Sequence, residues 1–354
     1  MLRWSYAASH KNHNMNNSDT RTVNLALQGG GAHGAFTWGV LDRLLEEEQL
    51  NIEGISGTSA GAMNAVALTH GLLENGRDGA KKTLSDFWGA LSQKSLTDSK
   101  LSLIDNFSNI DRSPAFAIIR SVGWFLSPYQ FNPLAFDPLR LIVDDLIDFE
   151  RIRKESSLKI FIAATQVRTG KIRVFKTNEL SADTLLASSC LPTMHQAVKI
   201  DGEAYWDGGF AGNPAIYPLL YNCESTDVMV VLLSPLSKDS HPTTAEEIRI
   251  RSAELGFNAA FLREMRSIAD AKERFASGPT VNGVLENRLK NTHIHMIEAD
   301  NLMNDLSHKS RLNTSKAFLD MLFTEGREHA ESWIEKNFNM IGHDSSIDLM
   351  DVFG

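Results

Sequence analysis

Residues 23–61 read VNLALQGGGAHGAFTWGVLDRLLEEEQLNIEGISGTSAG, and this stretch decides the fold. Its first five residues and residues 52–56 are short apolar runs typical of buried strands. Each run ends in a glycine-rich turn that leads into a helical pattern, over residues 35–50 and 62–73 respectively. Strand, helix, strand and helix in this order predict a βαβ unit, and therefore an α/β fold with a parallel sheet.

Further apolar runs extend the predicted sheet. Residues 159–165 (KIFIAAT) and 228–234 (VMVVLLS) have the composition of strands buried on both faces. Residues 167–175 predict a hairpin, and residues 203–206 predict a strand that leaves a turn. After Pro235 the pattern becomes helical with mixed charge. We therefore expect a disordered tail, an α/β domain and a helical C-terminal region, over residues 1–21, 22–235 and 236–354.

Composition excludes several classes of protein. The formal charge of −9 argues against binding to nucleic acid or to an anionic membrane surface, because both select clusters of Lys and Arg. No apolar run reaches the roughly 18 residues of a membrane-spanning helix, and residues 1–21 lack the apolar core of a signal peptide. We therefore expect a cytoplasmic protein that contacts membranes peripherally. The neighbours of Cys190 and Cys223 are apolar or small, which predicts two buried, reduced thiols.

Residues 113–136 combine many apolar side chains with three prolines. This composition fits a lid or a substrate wall, and it fits ordinary core packing under a long loop equally well.

The first motif that carries chemistry is the glycine loop, GGGAHG, which follows the first strand and opens the first helix. Its residues are Gly29, Gly30, Gly31, Ala32, His33 and Gly34. Glycines allow backbone amides to converge on a negative oxygen at a helix N-terminus, so the loop is suited to a phosphate or an oxyanion. A dinucleotide site would also need an acidic residue about 20 positions later. Glu53 is the nearest acidic residue, but its strand leads directly into another turn suited to catalysis, residues 57–61. We therefore favour an oxyanion over a dinucleotide as the ligand of the glycine loop.

Two shorter motifs supply a nucleophile and a base. In GTSAG, Gly57 and Gly61 flank Ser59 on a tight turn between a strand and a helix, an arrangement that exposes a serine hydroxyl. In DGG, a carboxylate follows a strand and precedes a turn; its residues are Asp207, Gly208 and Gly209. A hydroxyl is a weak nucleophile at neutral pH and needs such a base within hydrogen-bonding reach.

The order and spacing of these three motifs resemble those of the patatin-like phospholipase family. The runs SSCLP, residues 188–192, and IDGEAYWDGGFAGNP, residues 200–214, resemble it as well, so the resemblance extends over residues 23–235. It implies a three-layer α/β sandwich with a mostly parallel central sheet, to which the C-terminal helices are added. It also implies a serine lipid acyl hydrolase that acts on phospholipids or other acyl esters through an acyl-enzyme, without a metal or an organic cofactor.

The resemblance further assigns roles to residues. Ser59 would be the nucleophile, Asp207 would take its proton, and the amides of Gly29, Gly30 and Gly31 would form the oxyanion hole. The chain departs from the family pattern at two positions. Many members open the loop with Asp and have Arg or Lys before its last glycine, whereas this chain has Gln28 and His33.

Two alternatives remain at this point. One is an α/β-hydrolase esterase with a Ser, His and Asp triad, for which the downstream histidines are His241, His293, His295, His308, His329 and His343. The spacing of His293 and His295 also suggests a metal pair, but no third ligand accompanies them, so we expect no metal site. The other alternative is a lipid-binding regulator without turnover. The sequence predicts neither the lipid headgroup nor the oligomeric state.

Overall fold

The computed structural model describes residues 20–97, 127–132, 135, 137–238, 241–277, 283–306 and 308–354. The predicted disordered tail, apart from its last two residues, lies outside these ranges. So does most of residues 113–136, the predicted lid or packed loop. Within the described ranges, no helix is both long enough and apolar enough to cross a membrane.

The centre of the molecule is an eight-stranded sheet. Its strands are β1 Arg21–Leu27, β2 Leu50–Gly57, β3 Lys159–Gln166, β4 Ile172–Lys176, β5 Val198–Ile200, β6 Glu203–Asp207, β7 Asp227–Val231 and β8 His293–Ile297. The order is β5-β6-β3-β2-β1-β7-β8, and β4 pairs with β3. The pairs within β3-β2-β1-β7-β8 are parallel, whereas β4, β5 and β6 pair antiparallel. The predicted, mostly parallel central sheet is therefore confirmed.

Helices cover both faces of the sheet. They are α1 Gly34–Leu44, α2 Ala60–Thr97, α3 Pro128–Phe131, α4 Pro138–Leu146, α5 Phe149–Glu155, α6 Ala182–Ser188, α7 Tyr217–Asn222, α8 Ala245–Ser277, α9 Val284–Lys290, α10 Asp300–Asp305, α11 Lys316–Asn337 and α12 Leu349–Phe353. Alternate residues of the strands enter separate apolar clusters: Met229 and Val231 pack with α1, α2 and α11, while Val228 and Val230 pack with α7, α8 and α12. This alternation produces the predicted three layers.

The predicted end of the first helix in the βαβ unit was wrong. The first helix ends at Leu44, and Leu50, expected to close it, instead begins β2. The guanidinium of Arg77 on α2 donates to the carbonyls of Leu45, Glu47 and Leu50, so distant side-chain contacts stabilise the intervening turn. The second helix reaches its predicted end at residue 73. Asn75 and Gly76 then interrupt it with non-helical dihedral angles, and a further helical stretch continues to Thr97.

The C-terminal region, expected to be helical, also contributes a strand. β8 pairs in parallel with β7 and so extends the central sheet. The predicted hairpin is present, but its first arm is the end of β3 and its second arm is β4. Both cysteines are buried and reduced, as predicted.

Candidate active site

Parallel pairing brings the glycine loop and the serine turn to one edge of the sheet. Leu27, the last residue of β1, pairs with Gly57, the last residue of β2. The glycine loop follows the first strand and the GTSAG turn follows the second, so both leave the sheet side by side. The carboxyl edge of a parallel sheet is where α/β proteins form ligand sites.

Ser59 occupies a strained turn between β2 and α2. Its φ of +53° lies in the left-handed region, which is uncommon for a residue with a side chain. Its backbone N–H donates to Ser188 Oγ at 2.9 Å, and the preceding Thr58 hydroxyl donates to the carbonyl of Gly212 at 2.7 Å. These bonds hold the turn that carries the hydroxyl.

Asp207 ends β6 and faces Ser59 from the antiparallel side of the sheet. Its carboxylate accepts the Gly209 N–H at 2.8 Å, and the Ser59 side chain lies near enough to lower the pKa of this carboxylate. The Asp207 N–H donates to the Cys190 carbonyl, and the Thr165 hydroxyl donates to the Asp207 carbonyl, so the backbone is held on both sides. Burial raises the pKa of Asp207 to about 7, although the Gly209 amide and the Ser59 hydroxyl oppose the rise.

The three glycines of the predicted oxyanion hole differ in what their amides contact. Gly29 lies so close to Ser59 that a Cβ at Gly29 would stand 2.8 Å from the serine Cβ. Its N–H, however, donates to Asn213 Oδ1 at 2.7 Å, so this amide is already engaged, which corrects the expectation of three equivalent donors. Within the described part of the chain, the amides of Gly30 and Gly31 donate to no protein acceptor.

The other motif residues form the surroundings of this centre. Ala32 and His33 are buried in the short 3-10 turn that precedes α1, and Gly34 begins α1 beside Ala60. Gly57 and Gly61 lie on either side of the Ser59 turn. Gly208 and Gly209 open the 3-10 turn after Asp207, where Gly209 packs against the ring of Phe257 on α8.

Gln28 replaces the Asp with which many family members open the loop, and its side-chain amide is fully used. Its oxygen accepts the N–H groups of Leu233 and Ser234 at 2.6 and 2.8 Å. Its nitrogen donates to the Asn213 carbonyl and to Asn258 Oδ1 at 3.2 and 3.3 Å. A buried amide with four such bonds is well satisfied, and it ties the loop to the end of β7 and to α8.

Sequence reasoning missed several residues that support the site. Ser188 lies in the SSCLP run and Asn213 in the DGGFAGNP run, so the motifs that carried the resemblance contained the signal for both. Phe257 and Asn258, by contrast, come from α8 in the C-terminal region. No local pattern in that helix indicates the contact with the glycine loop.

The groups considered for metal or dinucleotide binding have structural partners. Among the described residues, no group of three or more His, Cys, Asp or Glu side chains could hold a metal ion. His293 and His295 both face Asp227 at the start of β7. Glu53 accepts the N–H groups of Glu224 and Ser225 and pairs with Lys159, so its carboxylate is occupied by the protein itself.

Comparisons with known proteins give a matching family model and similar solved structures. A family model described as patatin-like phospholipase matches residues 25–220, which is more than half of the chain. The structure of VipD from Legionella pneumophila is similar with a TM-score of 0.40 and 14% identity, and the match covers 88% of this chain and 66% of VipD. ExoU of the Pseudomonas aeruginosa type III secretion system, solved in complex with SpcU, has a TM-score of 0.28 and 13% identity, with coverage of 92% and 80%. Curated protein sequences give no match.

Proposed function

Because this chain belongs to the patatin-like phospholipase family and is therefore a lipid hydrolase, we propose that it cleaves lipid acyl esters with a Ser59 and Asp207 dyad. The observation that carries the proposal is the proximity of the Ser59 side chain to a buried carboxylate whose pKa is raised to about 7. A base whose pKa lies near the working pH combines a useful ionised fraction with enough proton affinity to accept the serine proton.

The reaction follows from this geometry. Ionised Asp207 takes the Ser59 proton as the serine oxygen attacks the ester carbonyl and forms a tetrahedral intermediate. When the intermediate collapses, the carbon–oxygen bond to the leaving alcohol breaks, and Asp207 returns the proton to that alcohol. Water then gives a proton to Asp207, attacks the acyl-enzyme and releases the fatty acid, after which the proton returns to Ser59.

The oxyanion hole of this proposal consists of the Gly30 and Gly31 amides. Both follow Gly29, which lies against Ser59, and both lack a protein acceptor among the described residues. Preorganised donors of this kind contribute about 3 to 4 kcal/mol each to the transition state. The Gly29 amide takes a different role, because its bond to Asn213 fixes the loop beside the serine turn.

The positions of the candidate histidines whose side chains are described favour this dyad over a Ser, His and Asp triad. His293 and His295 face Asp227, at the edge of the sheet opposite to Ser59. His329 bonds to the carbonyl of Glu298, and His241 and His343 are exposed. The side chain of His308 lies outside the described residues.

Peripheral contact with a lipid surface is a further part of the proposal. Large apolar side chains next to site residues are exposed to solvent: Phe210 follows Gly209, and Leu255 on α8 lies close to Phe257. With a formal charge of −9, apolar side chains rather than basic clusters would lead such a contact.

Acyl release from a panel of phospholipids and acylglycerols, combined with labelling by a fluorophosphonate, tests this function. We expect wild type to release fatty acid and to be labelled, and Ser59→Ala to lose both activities. Ser267→Ala, which changes an exposed serine on α8, is the matched control and should behave as wild type. Lipid binding by wild type without labelling or acyl release would refute the proposal and favour a lipid-binding regulator.

A further inference from the structure

Residues 308–312, the loop latch, form a 3-10 turn that packs directly on the glycine loop. The closest approach is at Gly31, whose φ is +61° and where a Cβ would overlap the carbonyl oxygen of Arg311. A second contact is the hydrogen bond of 2.8 Å between His33 Nε2 and Ser310 Oγ. Two successive residues of the latch therefore contact two residues of the loop.

The Arg311 side chain adds an indirect connection. Its guanidinium donates to Ser234 Oγ at 2.9 Å, and the Ser234 N–H donates to Gln28 Oε1 at 2.8 Å. Gln28 immediately precedes the loop, so the loop is held from the residue before it as well as from its centre. Burial lowers the pKa of Arg311 and the nearby Glu254 opposes this shift, but an arginine side chain still stays charged at neutral pH.

The helix that follows the latch explains how the latch keeps its position. The backbones of α11 and α1 are in contact where the two helices cross, at Gly39 of α1 and Gly326 of α11. A Cβ at Gly39 would overlap the carbonyl of Phe323, and a Cβ at Gly326 would overlap the carbonyl of Phe36. Arg327 on α11 also pairs with Asp42 on α1. Since α1 begins at the end of the glycine loop and α11 begins shortly after the latch, this packing keeps the two segments together.

We propose that the latch holds the glycine loop in its oxyanion-binding conformation, with Ser310 and Arg311 as positioning residues for the reaction. This inference rests on the proposed function, and it extends the active site into the C-terminal region beyond residues 25–220. Neither residue touches the substrate in this account. Both act through the placement of the Gly30 and Gly31 amides, so their loss lowers turnover and leaves substrate binding largely unchanged.

The experiment compares wild type, Ser310→Ala, Arg311→Ala and Arg311→Lys, with Lys316→Ala as a control. Lys316 is exposed on the first turn of α11 and pairs only with Asp320 in the described structure. The end point of fluorophosphonate labelling counts competent sites, and hydrolysis of p-nitrophenyl butyrate gives kcat and KM per labelled site. Hydrogen exchange of the peptide that spans residues 28–36 reports the loop directly.

We expect full labelling, a KM within about twofold of wild type, and a kcat per site about 10- to 100-fold lower in Arg311→Ala, with Ser310→Ala less affected. Lysine at position 311 should restore part of the loss, and exchange of the loop peptide should accelerate only in the latch variants. If the latch variants leave hydrogen exchange of the loop peptide or kcat per labelled site unchanged, the proposed role of the latch is refuted. If wild type neither reacts nor hydrolyses ester, the proposed function fails, and loop exchange alone decides whether the latch exists.

Discussion

Asp207 and Asp227 are almost equally buried, with 2% and 3% of their surfaces exposed, yet their pKa values shift in opposite directions. At Asp207, burial dominates and raises the pKa to about 7, because among the described residues only the Gly209 amide and the Ser59 hydroxyl stabilise the ionised form. At Asp227, burial acts in the same direction, but its partners outweigh it and lower the pKa.

Asp207 lies deeper in the protein than Asp227, and the partners of Asp227 also favour its charge. Its Oδ1 lies 3.0 Å from His295 Nε2 and 3.3 Å from His293 Nδ1, and it accepts the Gly342 N–H at 2.7 Å. Two imidazoles, which add positive charge when protonated, and one amide favour the carboxylate form. Asp207 has no comparable group among its stated partners.

The two carboxylates also lie at opposite edges of the same sheet. Asp227 begins β7, where it pairs with β8 and accepts the N–H of Gly342. Asp207 ends β6 beside the serine turn. The comparison teaches that burial alone does not make a base. A buried carboxylate retains proton affinity for catalysis only where its neighbours leave the charge incompletely compensated.

The largest expected effect is on turnover. Asp207→Asn removes the base while it keeps the size of the side chain, and we expect kcat/KM for lipid ester to fall by about 10⁴-fold or more. Asp227→Asn should leave kcat/KM within about threefold of wild type, because that carboxylate lies at the other edge of the sheet. Acyl release by the two purified variants separates the roles, and equal losses of activity would remove the distinction between the two sites.

A smaller effect concerns how stability depends on pH. Folded Asp207 stays protonated up to about pH 7, whereas the unfolded chain ionises near its ordinary pKa of 3.8. The proton therefore stabilises the fold fully below about pH 4, and this stabilisation is lost as pH rises to about 7. Asparagine carries no charge and does not suffer this loss. The free energy of unfolding of Asp207→Asn, measured relative to wild type, should therefore increase between pH 4 and pH 7, by at most about 4 kcal/mol.

Urea unfolding at pH 4, 5.5, 7 and 8 measures this difference, with Asp201→Asn, an exposed turn residue, as the control. A stability difference between Asp207→Asn and wild type that does not change with pH would show that the pKa of Asp207 is not raised.

The smallest effect is the stability that Asp227 provides. We expect Asp227→Asn to lower the free energy of unfolding at pH 7 by roughly 2 to 3 kcal/mol, because the buried imidazole of His295 and the partly buried one of His293 lose their carboxylate partner. Since the folded pKa of Asp227 is lowered, its contribution is present above the ordinary pKa and is lost as pH falls below it. Thermal unfolding at pH 7 and pH 3.5 tests both statements; a variant as stable as wild type at pH 7 would contradict them.

Sequence alone predicted the central sheet and the meeting of the motifs, because apolar strands that end in glycine turns leave few arrangements open. It did not predict β8, whose sequence HIHMI alternates imidazole with aliphatic side chains and pairs its histidines with a distant aspartate. Likewise, the end of the first helix depends on Arg77, and the role of Gln28 depends on Asn258 of α8. These features rest on contacts between segments far apart in the chain, which local patterns do not encode.

The most direct test of the dyad is the rate of fluorophosphonate labelling of Ser59 as a function of pH, in wild type and in Asp207→Asn. Our account predicts a wild-type rate that rises about tenfold per pH unit below an apparent pKa near 7 and then becomes constant, and a slow rate without this rise in the variant. A wild-type rate independent of pH between 5 and 9, or a variant that reacts as fast as wild type, would contradict the assignment of Asp207 as the base.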